Sequence, residues 1–258
     1  MKLCFSTLGC TDYSLCEAIA LAKKHKIDAI EIRGLCDILD NEKIPFFFEE
    51  ESENTKNLFM ESGVCPIVLG SSCTFHDKEN YDAAIREGLA ALRIASRIGF
   101  SAIRVFGDRI EGDEEECLAR IINGISVLCK EAEGLGVFVL LEVHGEINTT
   151  RRIEKIVAAC GDFPRFCLLW DVCHTRKTCN PKDFYERFAP YIRHVHFKDI
   201  RGDLHVLPGE GELPLKEIAE MMLSGGYDGY FSLEWEKKWH PELPPMEKAL
   251  QKYTEILR

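Results

Sequence analysis

Short apolar runs rich in β-branched residues alternate with longer segments of helical period along the whole chain. Eight runs have strand character: KLCFST (2–7), AIEIRG (29–34), CPIVLGSS (65–72), AIRVFG (102–107), VFVLLEVH (137–144), FCLLWD (166–171), IRHVHFK (192–198) and YFSLEW (230–235). The helical stretches between them carry their own start and stop signals. Ser14 and Glu17 have capping-box spacing, and Leu15, Ala18, Ile19 and Ala22 share one face behind them. Residues 113–133 repeat apolar positions at Leu118, Ile121, Ile122, Ile125 and Leu128, with Gly134 and Gly136 as stops. Asn180 and Pro181 read as N-cap and first helical residue, and the stripe Ile153, Ile156, Val157 and Cys160 runs into Gly161. Only FFFEEESENTK, ahead of the third strand, mixes apolar and acidic residues with no period that places its boundaries.

Eight β/α repeats over 258 residues match the size of a (β/α)₈ TIM barrel spanning 1–258 as a single domain. A doubly wound sheet is the other architecture that such alternation allows, but no Gly/Ser/Pro-rich stretch supplies the linker that two such domains would want.

The late strands share a feature that the early ones lack. Glu142 follows FVLL, Asp171 follows LLW, His196 lies in RHVHFKD and Glu234 follows FSL. Four consecutive strands thus carry a metal-ligand residue type near the carboxyl end, where the active sites of parallel barrels are built. Period-2 alternation groups Glu142 with His144, and His194 with His196 and Lys198. Carboxylates crowded together repel one another and take up protons unless a cation sits between them, so a divalent metal is expected. Three carboxylates and one imidazole form an oxygen-rich set, which favours Mn²⁺, with Mg²⁺, Co²⁺ or Zn²⁺ as other ions, over a thiolate-type zinc site.

Charge narrows the partners. Lys plus Arg number 32 against 43 for Asp plus Glu, a net charge of -11, which repels a polyanion such as DNA. The amino terminus, MKLCFSTLGC, enters strand-like sequence directly, and no run approaches the length of a membrane span, so a cytoplasmic location is expected. Twelve cysteines are scattered from Cys4 to Cys179 with no C-x-x-C pair; they are expected as reduced packing residues, Cys65 and Cys167 among them.

The segments LLEVHG (140–145), LLWDVCHT (168–175), HVHFKD (194–199), LPGEGELP (207–214) and SLEWEKKWHPEL (232–243) resemble the sugar phosphate isomerase/epimerase family, the xylose isomerase-like TIM barrels. That group includes ketose 3-epimerases, hydroxypyruvate isomerases, and the inosose dehydratase and isomerase of inositol catabolism. The resemblance covers nearly the whole chain. It implies that Glu142, Asp171, His196 and Glu234 are the metal ligands and that His174 contacts substrate. It also implies a homo-oligomer. An arginine six residues after the ligand histidine contacts substrate in the ketose 3-epimerases, but position 202 here is glycine and Arg201 stands one place earlier.

The implied chemistry is proton transfer on a ketose or related polyol through a metal-stabilised enediolate, with Glu142 and Glu234 as the acid–base pair. Epimerisation, aldose–ketose isomerisation and dehydration differ in where the substrate lies; in a dehydratase, His174 or Lys198 would serve as the acid. His144 and His76 are further candidates for the pocket wall. LPGEGELP has the look of a phosphate-binding turn, yet Glu210 and Glu212 within it disfavour a phosphate, so an unphosphorylated sugar or cyclitol is expected. Arg33 and Arg104 are expected at the barrel mouth or as struts paired with a nearby acid, Lys237 and Lys238 as a solvated charge run, and His25 on a wet helix face. Trp170, Trp235 and Trp239 would line the pocket or fill the core. Two rivals are an abasic-site endonuclease, which would need more early histidines and a basic face, and a barrel that binds sugar without turning it over.

Overall fold

A computed structural model describes residues 1–258. Its long strands are β1 (Lys2–Ser6), β2 (Ala29–Ile32), β3 (Cys65–Thr74), β4 (Ala102–Phe106), β5 (Phe138–Glu142), β6 (Phe166–Asp171), β7 (Ile192–Phe197) and β10 (Tyr230–Leu233); β8 (Asp199–Arg201) and β9 (Leu204–Val206) form a separate hairpin. The eight long strands close into a barrel in the order β1-β10-β7-β6-β5-β4-β3-β2. Each strand lies inside the run expected of it or overshoots it by no more than two residues. The chain clusters into two compact units, Met1–Ile67 with His194–Arg258, and Val68–Arg193.

In the first unit β1 pairs in parallel with β2 and β10, and β10 pairs with β7, setting Ser232 beside His196. All four residues of β2 are buried, as expected of a strand covered on both faces, and Glu31 is among them. The capping box at Ser14 and Glu17 forms and opens the helix Leu15–Lys24. His25 caps that helix at its carboxyl end; only 13% of its side chain is exposed, so it is not on a wet face. The unplaced FFFEEESENTK stretch becomes two 3₁₀ turns, Pro45–Phe47 and Glu49–Glu51, and the helix Ser52–Ser62. Short turns of this kind have no amphipathic period to read.

In the second unit β3 to β6 pair consecutively in parallel, with Phe106 beside Glu142 and Glu142 beside Leu169. Asp113 caps the helix Glu114–Leu135 through the backbone N–H groups of Glu115 and Glu116. Gly136, at φ +71°, ends it, while Gly134 lies inside the helix instead of stopping it. Thr150–Cys160 and Pro181–Phe188 form as expected.

All twelve cysteines are free, and seven are buried; Cys65 is exposed, contrary to its expected packing role, because it sits at the entry of β3 before the burial begins. Trp170 and Trp235 are fully buried, while Trp239 is 54% exposed. No helix is long and apolar enough to cross a membrane.

Candidate metal centre

Each unit brings its share of acids and imidazoles to the carboxyl ends of its strands. In the second unit, Asp171 ends β6 and its Oδ1 accepts the backbone N–H groups of Cys173 (2.8 Å) and His174 (3.2 Å). The aspartate thereby caps the short helix Val172–Thr175, which turns the chain so that His174 Nε2 lies 3.7 Å from Asp171 Oδ2. Trp170 locks this turn by donating its indole N–H to Thr175 Oγ1 at 2.9 Å and stacking on Phe184. Glu142, the last residue of β5, is 1% exposed and accepts from Arg104 Nη1 at 3.0 Å. Arg104 is therefore a strut paired with an acid, one of its two expected roles, and its guanidinium also covers the Phe106 ring.

Beyond β4 and β5 a smaller constellation forms. His144 Nδ1 lies 2.9 Å from Asp108 Oδ1, and the His144 and His174 rings sit 4.1 Å apart. The hydrogen bond from His144 holds the Asp108 carboxyl below its ordinary range. Gly145 makes the arrangement possible: it adopts φ +56°, and a Cβ there would lie 2.5 Å from the Asp108 carbonyl oxygen. His76 is half-buried close enough for its charge to act on Asp108, and its carbonyl anchors Arg120.

In the first unit, His196 is fully buried and its Nε2 lies 2.8 Å from Glu31 Oε2, while His194 Nε2 reaches the same oxygen at 3.1 Å. Burial alone would raise the Glu31 carboxyl; the His196 charge and the bonds from both imidazoles override it and hold the group well below the carboxylate range. An ionised carboxylate only accepts, so a hydrogen bond from His196 to Glu31 uses a proton on Nε2, and an imidazole serving as a metal ligand would present its Nδ1 lone pair. That Nδ1 lies 3.4 Å from Glu234 Oε1. Glu234 is also buried, and Lys198 Nζ donates to its Oε2 at 2.7 Å. Burial would raise the Glu234 carboxyl as well; the His196 and Lys198 charges pull it well below the ordinary value, so it stays ionised.

The second unit thus contributes Glu142 and Asp171 and the first His196 and Glu234, all four buried and at or next to the carboxyl ends of their strands. The donor set fits a divalent cation: three carboxylates balance its charge in a buried setting, and an imidazole oriented by a carboxylate behind it is the usual outer support of a metal ligand.

Other expected residues lie in plainer roles. Arg201 is exposed and donates to the Glu210 carbonyl, so its guanidinium braces the loop that follows. In that loop the buried Asp199 carboxylate accepts the backbone N–H groups of Gly209 and Gly211 (both 2.9 Å), Leu213 (3.2 Å) and Ile200 (3.0 Å). The N–H groups that a phosphate would need are already taken. Gly211 has to be glycine, since a Cβ there would meet Asp199 Oδ1 at 2.1 Å. Asp199→Ala is expected to cost about 2–4 kcal/mol, because several N–H groups lose one charged acceptor together; urea denaturation against wild type checks it. Lys237 donates to the Pro241 and Leu243 carbonyls and Lys238 pairs with Asp37 at 3.1 Å, so this charge pair holds a loop instead of merely being solvated.

Sequence reasoning missed Glu31 and Asp108. The signal for Glu31 was available: an acid inside the apolar run AIEI, two residues before Arg33, is costly to bury without a function or a partner. Asp108 lies in a loop at φ +63°, a conformation that spacing does not announce.

A family model described as xylose isomerase-like TIM barrel matches residues 19–256. Fructoselysine 3-epimerase of Escherichia coli O157:H7 is 30% identical over 122 residues, covering 45% of this chain and 44% of that protein. Inosose dehydratase of Lacticaseibacillus casei is 25% identical over 169 residues, covering 57% of this chain and 56% of that protein. The chain thus spans about half the length of the curated relatives it matches. Among solved structures, the IOLI protein with a bound zinc atom superposes with a TM-score of 0.81 at 21% identity, over 100% of this chain and 98% of that one, a likeness of fold.

Proposed function

Because the chain belongs to the xylose isomerase-like TIM barrel family, we propose that it is a divalent-metal-dependent isomerase or epimerase that moves a proton on a ketose or cyclitol. The observation that supports this reading is that four buried residues of metal-ligand type, Glu142, Asp171, His196 and Glu234, stand at or next to the carboxyl ends of β5, β6, β7 and β10. When bound, the ion, of the Mn²⁺ class, supplies Lewis-acid polarisation of a substrate carbonyl.

Glu142 and Glu234 are the acid–base pair. Glu234, held ionised by His196 and Lys198, is ready to accept a proton from the carbon next to that carbonyl, and Glu142 acts on the opposite face. Asp171 orients through its capping bonds, and His196 through Glu31. His174 and His144 form a wall for substrate hydroxyls, with Lys198 and His76 completing the assignment; Arg201 is left out, since it is engaged with the Glu210 carbonyl. The spent N–H groups of the 207–214 loop support an unphosphorylated substrate.

Dehydration is a second reading, supported by one observation. The Asp108–His144 hydrogen bond beside His174 provides imidazoles able to protonate a leaving hydroxyl. The similarity to inosose dehydratase fits it.

The test is incubation with Mn²⁺ in D₂O across a panel of ketoses and inososes, followed by NMR. Deuterium entering next to the carbonyl with retained composition marks an isomerase or epimerase, and loss of water marks a lyase. Failure of every substrate to exchange or dehydrate overturns the reading. Glu31→Gln is expected to weaken metal binding about 10–100-fold, because a carboxamide no longer dictates which His196 nitrogen is protonated; metal titration of the stripped protein measures it.

A further inference from the structure

Beyond β10 the first unit gathers a second set of donors that the proposed reaction does not use. We propose that His205, Glu236 and His240 form a second binding site for a divalent cation of the zinc class. One ligand atom from each lies within 4.8 Å of the others. Glu236 Oε2 is 3.8 Å from His205 Nε2 and 4.0 Å from His240 Nε2. Neither separation is a hydrogen bond. Both are close to what one shared ion imposes: zinc bonds of about 2.0–2.1 Å in tetrahedral geometry hold donor atoms roughly 3.4 Å apart. A closure of about half an ångström at each imidazole completes the fit.

The backbone places these donors for the purpose. Glu236 and His240 lie on one helical turn, with the His240 N–H bonded to the Glu236 carbonyl at 3.0 Å, so i and i+4 side chains share a face. His205 comes from β9, in the hairpin that the Asp199-anchored loop follows. Two of the three ligands are aimed from behind. Lys198 holds Glu236 Oε1, which leaves Oε2 toward the imidazoles, and Glu242 Oε1 lies 3.5 Å from His240 Nδ1, which directs Nε2 inward. A carboxylate behind a ligating imidazole is the common outer support of zinc sites.

Two imidazoles and one carboxylate, with no thiolate and few oxygens, select zinc-class ions over calcium or magnesium. The His205 and Glu236 side chains are 16% and 18% exposed and that of His240 is 40% exposed, so the fourth coordination position opens toward solvent. None of the three donors belongs to the proposed catalytic set; Lys198, which holds both Glu234 and Glu236, is the one residue the two sites share.

Stripped full-length protein, dialysed against micromolar Zn²⁺ and assayed for metal by mass spectrometry, is expected to hold two equivalents. His240→Gln, at a partly exposed position, is expected to hold one, and Glu236→Gln provides a second variant should the first fold poorly. Asp171→Asn is expected to keep the equivalent that His240→Gln loses. With Co²⁺, that equivalent should show the intense visible absorption of a four-coordinate ion. Unchanged zinc content in both His240→Gln and Glu236→Gln overturns the proposal. A single equivalent that survives Asp171→Asn and vanishes in His240→Gln upholds it while removing the proposed catalytic ion.

Discussion

Glu142→Gln is expected to leave a folded protein whose turnover falls about 10²- to 10⁴-fold, the usual contribution of a positioned acid or base. The amide keeps the volume and one oxygen donor of the carboxylate but cannot accept a proton at neutral pH. Glu234→Gln is expected to lose turnover by a similar factor. The pair of variants reads the mechanism further. In an epimerase each glutamate serves one face of the carbon, so the variant that retains the base still washes in deuterium without inverting the centre. Rates on the substrate found by exchange, with metal content measured in parallel, give the answer. Wild-type turnover in both variants would remove the two residues from the chemistry.

Arg104→Met is expected to destabilise the metal-free protein by about 3–5 kcal/mol, the cost of stranding one member of a buried ion pair. Arg104 and Glu142 are 3% and 1% exposed and 3.0 Å apart, so solvent screens little of their interaction. Methionine preserves much of the arginine stem but removes the guanidinium from beside the Glu142 carboxylate. A divalent ion held by Glu142 would restore part of the loss, since a ligand that binds only the folded state stabilises it by mass action. Urea midpoints with and without Mn²⁺ measure both effects. An unchanged midpoint under both conditions would show that Glu142 is not held as an ion by Arg104.

These expectations draw on two kinds of information. The strands and most helices were legible because their burial is periodic: β5 reads as FVLLE because Val139, Leu140 and Leu141 are all fully buried, and Ser14 with Glu17 announces a helix start through local bonds alone. Glu142, Asp171, His196 and Glu234 were legible for a related reason, since a charged or imidazole group at the end of an apolar strand stands out in one dimension. The helix Glu114–Leu135 overran its first glycine stop because Gly134 is tolerated within a helix, whereas only Gly136 takes the positive φ that ends one.

Loops resisted this reading. Asp199 has the task of holding the Gly209 and Gly211 backbone, which depends on a fold of the loop that no spacing encodes. Lys237 looked like part of a charge run until the chain turned to bring the Pro241 carbonyl within 2.7 Å. His205 and His240 are 35 residues apart in sequence and carry no shared motif, so only the hairpin and the turn after β10 bring their rings to 4.6 Å.

The order of residues by itself determined the eight strands, the barrel they close and the residue types at the carboxyl ends of β5, β6, β7 and β10, because burial and backbone geometry act over a few neighbours and leave a periodic trace. Tertiary structure alone decided which partner each of those groups meets: Glu31 behind His196, Arg104 beside Glu142, Lys198 between Glu234 and Glu236. Those pairings span at least 36 residues of chain, and the electrostatic energy that selects them depends on distance in space and on the exclusion of water, neither of which a linear pattern carries.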